Sequence, residues 1–149
     1  MALTTHTPNI SALVPYAHVA NVEASAAFYA KLGFVLEHEH RDAHGRMVWA
    51  FVACGHAKLM LAQSSGAIDA SQQAVLFYVH CHALAALRAS LLHQGVLDGG
   101  TFTGGVSDQH LTNTVFAITK PFYMPLGEMR VHDLDGYVLL IGQEDSSQA

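Results

Sequence analysis

Apolar and polar positions alternate over parts of residues 10 to 20, fall into a helical spacing up to residue 33, and return to alternation after it. Pro15 stands near the start of the first run, which suits a strand that begins at or near a sheet edge. Asn21 is placed to cap a helix, and Glu23 complements the positive end of its dipole. Val22, Phe28 and Leu32 anchor one face of that helix, and Gly33 ends it in the position where a left-handed residue is favoured. Phe34 to Arg41 has period-two character, and Asp42-Ala-His-Gly45 is a turn signal. Met47 to Cys54 reads as a nearly fully apolar strand, Gly55-His56 as a tight turn, and Lys58 to Gln63 as the next strand. The predicted order is strand, helix, strand, strand, strand. Ser64 to Gln73 is small and polar and marks a linker.

The same order then repeats. A shift of 62 residues places Tyr16 on Tyr78, His18 on His80, Val22 on Leu84, Ala27 on Ala89 and Gly33 on Gly95 without a gap. Ala74 to Cys81 is therefore predicted as a strand, Ala83 to Gln94 as a helix, and Gly95 as its stop. Glu128 to His132 and Tyr137 to Gln143 are predicted strands joined by Asp133-Leu-Asp135-Gly136, a strong hairpin signal. The final strands match at a shift of 80, with Leu59 on Leu139, Met60 on Leu140, Leu61 on Ile141 and Gln63 on Gln143. The second copy thus carries about 18 extra residues. They fall between Asp98 and Pro125, a glycine-rich stretch expected to hold a short strand near Val115 to Thr119 and otherwise to form a mobile loop or lid.

A four-stranded unit with one helix leaves both sheet edges open. The fold expected is α+β: two tandem β-α-β-β-β modules curled into an open, barrel-like sheet around a shared cavity on their pseudo-two-fold axis. Module one spans 10–63, the linker 64–73 and module two 74–143, within a single domain flanked by tails at 1–9 and 144–149. Open edges also favour pairing with a second copy, so a homodimer is expected.

Composition narrows the function. Half of the 149 residues are apolar and 13% are charged, as in a globular protein with a sizeable core. A net charge of −5 with seven Lys and Arg argues against a nucleic-acid partner, which needs clustered positive charge. No apolar run reaches the roughly 18 residues of a membrane span, and the N-terminus lacks a secretory signal pattern. Cys54 and Cys81 are too few for a disulfide framework, so a reduced, cytoplasmic setting is expected. No glycine-rich phosphate loop is present, which argues against a nucleotide cofactor.

The two β-α-β-β-β modules resemble the vicinal oxygen chelate superfamily, the group of glyoxalase I, the bleomycin resistance proteins and the extradiol dioxygenases. The resemblance rests on the segment Asn21-Val-Glu-Ala-Ser-Ala-Ala-Phe28-Tyr29-Ala-Lys-Leu32-Gly33-Phe34 and the turn Asp133-Leu-Asp135-Gly136-Tyr137, where Leu134 replaces the usual proline. It covers about residues 10 to 143. Metal-dependent members carry His, Gln or Glu on the first and last strand of each module. Registered on this chain, those positions fall on Val14, Met60, Leu76 and Leu140. None offers a donor suited to a divalent cation. The resemblance therefore points to the metal-free, bleomycin-resistance-like branch, with no cofactor.

Alternation gives Tyr16 and His18 the parity of Val14, and gives Tyr78, His80 and His82 the parity of Leu76. The expected cavity is floored by Val14, Met60, Leu76 and Leu140, with Tyr16, His18, Tyr78 and His80 as its directed groups. The position of His18 resembles one that contacts the anionic part of the substrate in glyoxalase-like members. Metal-independent binding or sequestration of a small, aromatic or weakly acidic molecule is the function expected. One alternative is a metal-dependent lyase or dioxygenase with a displaced site at His80, His82 and His18, completed by Glu128 or His132. Another is a metal-free enzyme using His18 or His80 as general base. Trp49 and Phe51 read as core residues. Lys58 shares the parity of Met60 but reads first as a solvated strand-start lysine, and Arg130 as a structural residue held by Asp133 or Asp135.

Overall fold

A computed structural model describes residues 9–145, so most of both expected tails lies outside the described residues. The first unit runs β1 (Tyr16–Val19), α1 (Val22–Lys31), β2 (Val35–Arg41), β3 (Met47–Cys54) and β4 (Ala57–Gln63). Its sheet has the order β1-β4-β3-β2, with β1 and β4 parallel and the other pairs antiparallel. Asn21 caps α1, its side-chain oxygen accepting from the Ala24 N–H at 2.9 Å. Gly33 takes φ +98°, which lets the Gly33 and Phe34 N–H groups turn back onto the carbonyls of Ala30 and Tyr29. Asn21→Ala should lower stability by about 1 kcal/mol, measured by urea unfolding.

The second unit runs β5 (Leu76–Cys81), α2 (Leu84–His93), β6 (Leu97–Asp98), α3 (Val106–Gln109), β7 (Thr114–Val115), β8 (Glu128–His132) and β9 (Val138–Gln143). Its sheet has the order β5-β9-β8-β7-β6, again with the first and last long strands parallel. The two sheets stay open and are not joined by strand pairing. The duplication extends to side-chain bonds. Gln63 donates to the Ala20 carbonyl at 2.8 Å, and Gln143 donates to the carbonyl of His82, the repeat mate of Ala20, at 2.6 Å. Gln143 also accepts from the Leu84 N–H, doing for α2 what Asn21 does for α1.

The inner faces of both sheets pack against their helices in one continuous core. Val19, Tyr29 and Leu61 contribute from the first unit; Leu91, Val131 and Ile141 contribute from the second. Polar contacts tie the units together at the β8–β9 hairpin. The Tyr29 hydroxyl donates to Asp133 at 2.7 Å, the Ala20 N–H donates to Asp135 at 2.8 Å, and the Tyr137 hydroxyl donates to the His18 carbonyl at 3.0 Å. The hairpin turn therefore clamps one module onto the other.

Candidate binding site

Each sheet presents an outer face that its own helix does not cover. Across the first sheet, Tyr16, Met60, Phe51 and His38 form one row, each directly beside the next. Across the second, Tyr78, Leu140 and Arg130 form the matching row. The rings of Tyr16 and His18 lie 5.5 Å apart edge to face, and those of Tyr78 and His80 lie 5.3 Å apart. Tyr16 is 54% exposed and Tyr78 44%, so both faces are open to solvent in the single chain. The repeat has diverged between β3 and its counterpart β8. The registers place Glu128 where the first sheet has Trp49, and Arg130 where it has Phe51.

That divergence builds a cleft of about 240 Å³ on the second sheet. Glu128, Arg130 and Leu140 form its floor, and Phe102, Phe116 and Tyr123 its walls. Phe102 and Tyr123 come from the stretch where the second copy carries its extra residues. That stretch is pinned by Arg88 to Asp98 at 2.9 Å, and by Asp108 accepting from the Thr103 hydroxyl at 2.7 Å and N–H at 2.8 Å. The expected mobile loop is in this respect a structured wall.

Two polar groups meet in the cleft. Glu128, 7% exposed, accepts the Tyr78 hydroxyl at 2.9 Å on one oxygen and the Tyr123 hydroxyl at 3.0 Å on the other. Burial, and then the bond to Glu128, push the Tyr78 phenol up to about 12. For Tyr123 the bond to Glu128 is the main cause of a rise. Gly142 makes the Tyr78 contact possible, because a Cβ there would lie 2.8 Å from the Tyr78 oxygen. Arg130 donates from Nε to His132 Nε2 at 2.8 Å, and its guanidinium lies 4.0 Å over the Phe102 ring. Arginine can only donate, so His132 Nε2 is an acceptor and the imidazole proton sits on Nδ1, facing the Leu111 carbonyl at 2.8 Å. Burial lowers the His132 pKa, which favours this neutral form.

The model of the Glyoxalase/Bleomycin resistance protein/Dioxygenase superfamily matches residues 13–140. The chain belongs to this superfamily. No curated protein sequence matches it. Among solved structures, a bleomycin-binding protein in complex with bleomycin shares 20% identity at a TM-score of 0.65, covering 91% of this chain and 100% of that one. A bleomycin resistance determinant encoded on the transposon Tn5 shares 19% identity at 0.65, covering 91% and 99%. A glyoxalase-related enzyme from Clostridium phytofermentans shares 12% identity at 0.66, covering 95% and 100%. At these identities the likeness is one of fold, and the fold carries both binders and enzymes.

The residues expected at the superfamily's metal positions lie on the first and last long strands of each unit or just before them. Met60 and Leu140 stand beside Tyr16 and Tyr78, Val14 precedes β1, and Leu76 opens β5. Among the described residues, no group of three or more His, Cys, Asp or Glu side chains is arranged to hold a metal ion. His82, offered for a displaced site, instead faces Glu144 at 3.0 Å. His132 has both ring nitrogens engaged. The six candidate ligand residues divide between the two faces: Tyr16, His18 and Met60 on the first, Tyr78, His80 and Leu140 on the second. Only Leu140 of the six lines the cleft.

Trp49 and Phe51 are half-buried on the outer face, while Ala50 and Val52 take the core positions. Arg130 is held by neither Asp133 nor Asp135, because those carboxylates are taken up by Tyr29, Ala20 and the hairpin's own N–H groups. Arg130 and the floor role of Glu128 were legible in part. Glu128, Arg130 and His132 alternate with Met129 and Val131, and such alternation puts all three polar groups on one strand face. Phe102 and Tyr123 gave no signal, since no periodicity relates a loop residue to a distant strand.

Proposed function

We propose that this protein binds a small organic molecule without a metal ion, on the outer face of its second sheet. The observation that carries the reading is the aromatic-walled cleft with two directed polar groups, Glu128 and Arg130, on its floor. Apolar rings supply contact area, while the charged pair fixes orientation. The bleomycin-binding neighbour and an antibiotic-binding protein from a Streptomyces species, 21% identical at a TM-score of 0.65, support binding as the use of this scaffold.

The chain acts as a homodimer in this reading. Tyr16, Leu76 and Tyr78 leave about half their surface exposed on two faces of matching design. A second copy laying its first sheet over the cleft would bring Tyr16, His18 and Met60 opposite Tyr78, His80 and Leu140. The aromatic pair Trp49 and Phe51 would then face the charged pair Glu128 and Arg130. Light scattering should give twice the chain mass, and a monomer at micromolar concentration would count against this arrangement. Calorimetric titration with bleomycin and with a set of aromatic acids tests the binding itself. For a ligand held between the two faces of such a dimer, where His18 of one copy comes opposite His80 of the other, His18→Ala and His80→Ala should each weaken affinity by about 1–3 kcal/mol. Unchanged affinity in the double variant would remove both histidines from the site.

A further inference from the structure

We propose that the cleft selects a zwitterion: a ligand whose carboxylate docks on Arg130 and whose protonated amine docks on Glu128, with an aromatic or apolar body against Phe102, Phe116 and Tyr123. The inference rests on the binding role proposed above and adds the class of ligand.

Arg130 is held on two sides. Its Nε is committed to His132 and its flat face to Phe102, which fixes the plane of the guanidinium. Ion pairs among the described residues involve Arg41, Arg88 and His82, and none reaches Arg130. The two terminal nitrogens thus form a pre-oriented fork that no carboxylate among the described residues pairs with. Burial of the guanidinium makes its positive form costlier, and an oxyanion ligand would offset that cost. A planar carboxylate matches such a fork with two parallel bonds.

Glu128 precedes Arg130 by two residues on the same strand face, a spacing of about 6–7 Å along the backbone. The two do not pair. Both Glu128 oxygens are turned to phenols, which can only donate to it in this arrangement, and each oxygen retains acceptor capacity. Opposite charges are therefore held side by side and apart, each fixed by neutral neighbours. A plain anion on Arg130 would sit next to the Glu128 carboxylate, and a plain cation on Glu128 would sit next to the guanidinium. A ligand carrying both charges meets attraction at both ends. The cleft volume, below the range that accommodates drug-sized ligands, fits an amino-acid-sized molecule or one end of a larger one.

Three probes that share one ring and differ in charge test this: phenylalanine, hydrocinnamate and phenethylamine, titrated calorimetrically into the full chain. Phenylalanine should bind at least tenfold more tightly than either singly charged probe. In Arg130→Met that advantage should vanish against phenethylamine, and in Glu128→Gln it should vanish against hydrocinnamate, with the melting temperature of each variant recorded. If hydrocinnamate or phenethylamine binds wild type as tightly as phenylalanine, the zwitterion inference fails while small-molecule binding stands. If no probe binds but a compound from the bleomycin and aromatic-acid set does, the inference fails in the same way. If nothing in either set binds, both readings fall.

Discussion

Asp133→Ala should destabilise the protein by about 3 kcal/mol, a loss visible in urea unfolding as a lower midpoint at an unchanged slope. Asp133 is 1% exposed, and three donors converge on it: the Tyr29 hydroxyl at 2.7 Å and the N–H groups of Asp135 and Tyr137 at 2.9 Å. Alanine would leave all three without this acceptor, and it would cut the bond that joins the two modules at Tyr29. A loss below about 1 kcal/mol would show that water replaces the carboxylate and that the clamp is minor.

The same residue gives a pH signature. Burial pushes the Asp133 carboxyl up to about 6, outweighing the three donors that pull it down. The native state therefore holds a proton that the unfolded chain releases between pH about 4 and 6. Stability contributed by this group is fully present below the ordinary carboxylate range and is lost as pH rises through about 6. Asp133→Asn, which removes the charge and keeps one acceptor, should flatten the slope of stability against pH in that window. An unchanged slope would assign the effect to another carboxylate, and Asp135, also raised by burial, is the first to test.

Gly136→Ala should cost about 3 kcal/mol and lower the melting temperature by about 10 °C. Gly136 adopts φ +85°, where a side chain crowds its own backbone, and an added Cβ would lie 2.5 Å from the Ala70 Cβ and 2.6 Å from its Cα. Ala70 belongs to the short helical turn Ala70–Gln72 of the linker, so the clash would push the linker off the hairpin. A second variant isolates the share of the side-chain contact. Ala70→Gly combined with Gly136→Ala removes the Cβ–Cβ contact but leaves the strained φ, the Ala70 Cα at 2.6 Å and the Ala70 carbonyl at 2.7 Å. Only part of the loss should return; full recovery would mean that the φ strain and the Ala70 backbone contacts are both negligible there.

The duplication explains why so much of the architecture could be read without coordinates. Helix α1 is announced by Asn21 and stopped by Gly33, the β8–β9 turn by Asp133 and Gly136, and β3 by a run of eight apolar residues. Each of these signals is local, because a cap, a left-handed glycine or a period of two acts within a few residues of its cause. Repetition then carries the helix and the long strands into the second half, where α3 and the short β6 and β7 depart from the first.

Partner choice is the part that local chemistry leaves open. Alternation puts Glu128, Arg130 and His132 on one face, yet it does not say that Arg130 turns to Phe102 and His132 rather than to Asp133 or Asp135. That outcome depends on Tyr29, more than a hundred residues away, reaching Asp133 first. Equally, the parity that groups Tyr16 with Tyr78 holds on each strand separately, while the distance between the two faces is set by how the helices and the hairpin clamp pack. The sequence by itself determined the duplication and the strand faces. Only the tertiary structure decided that a loop insertion meets β8 to enclose a charged, aromatic-walled cleft, because contacts between residues far apart in the chain leave no period behind.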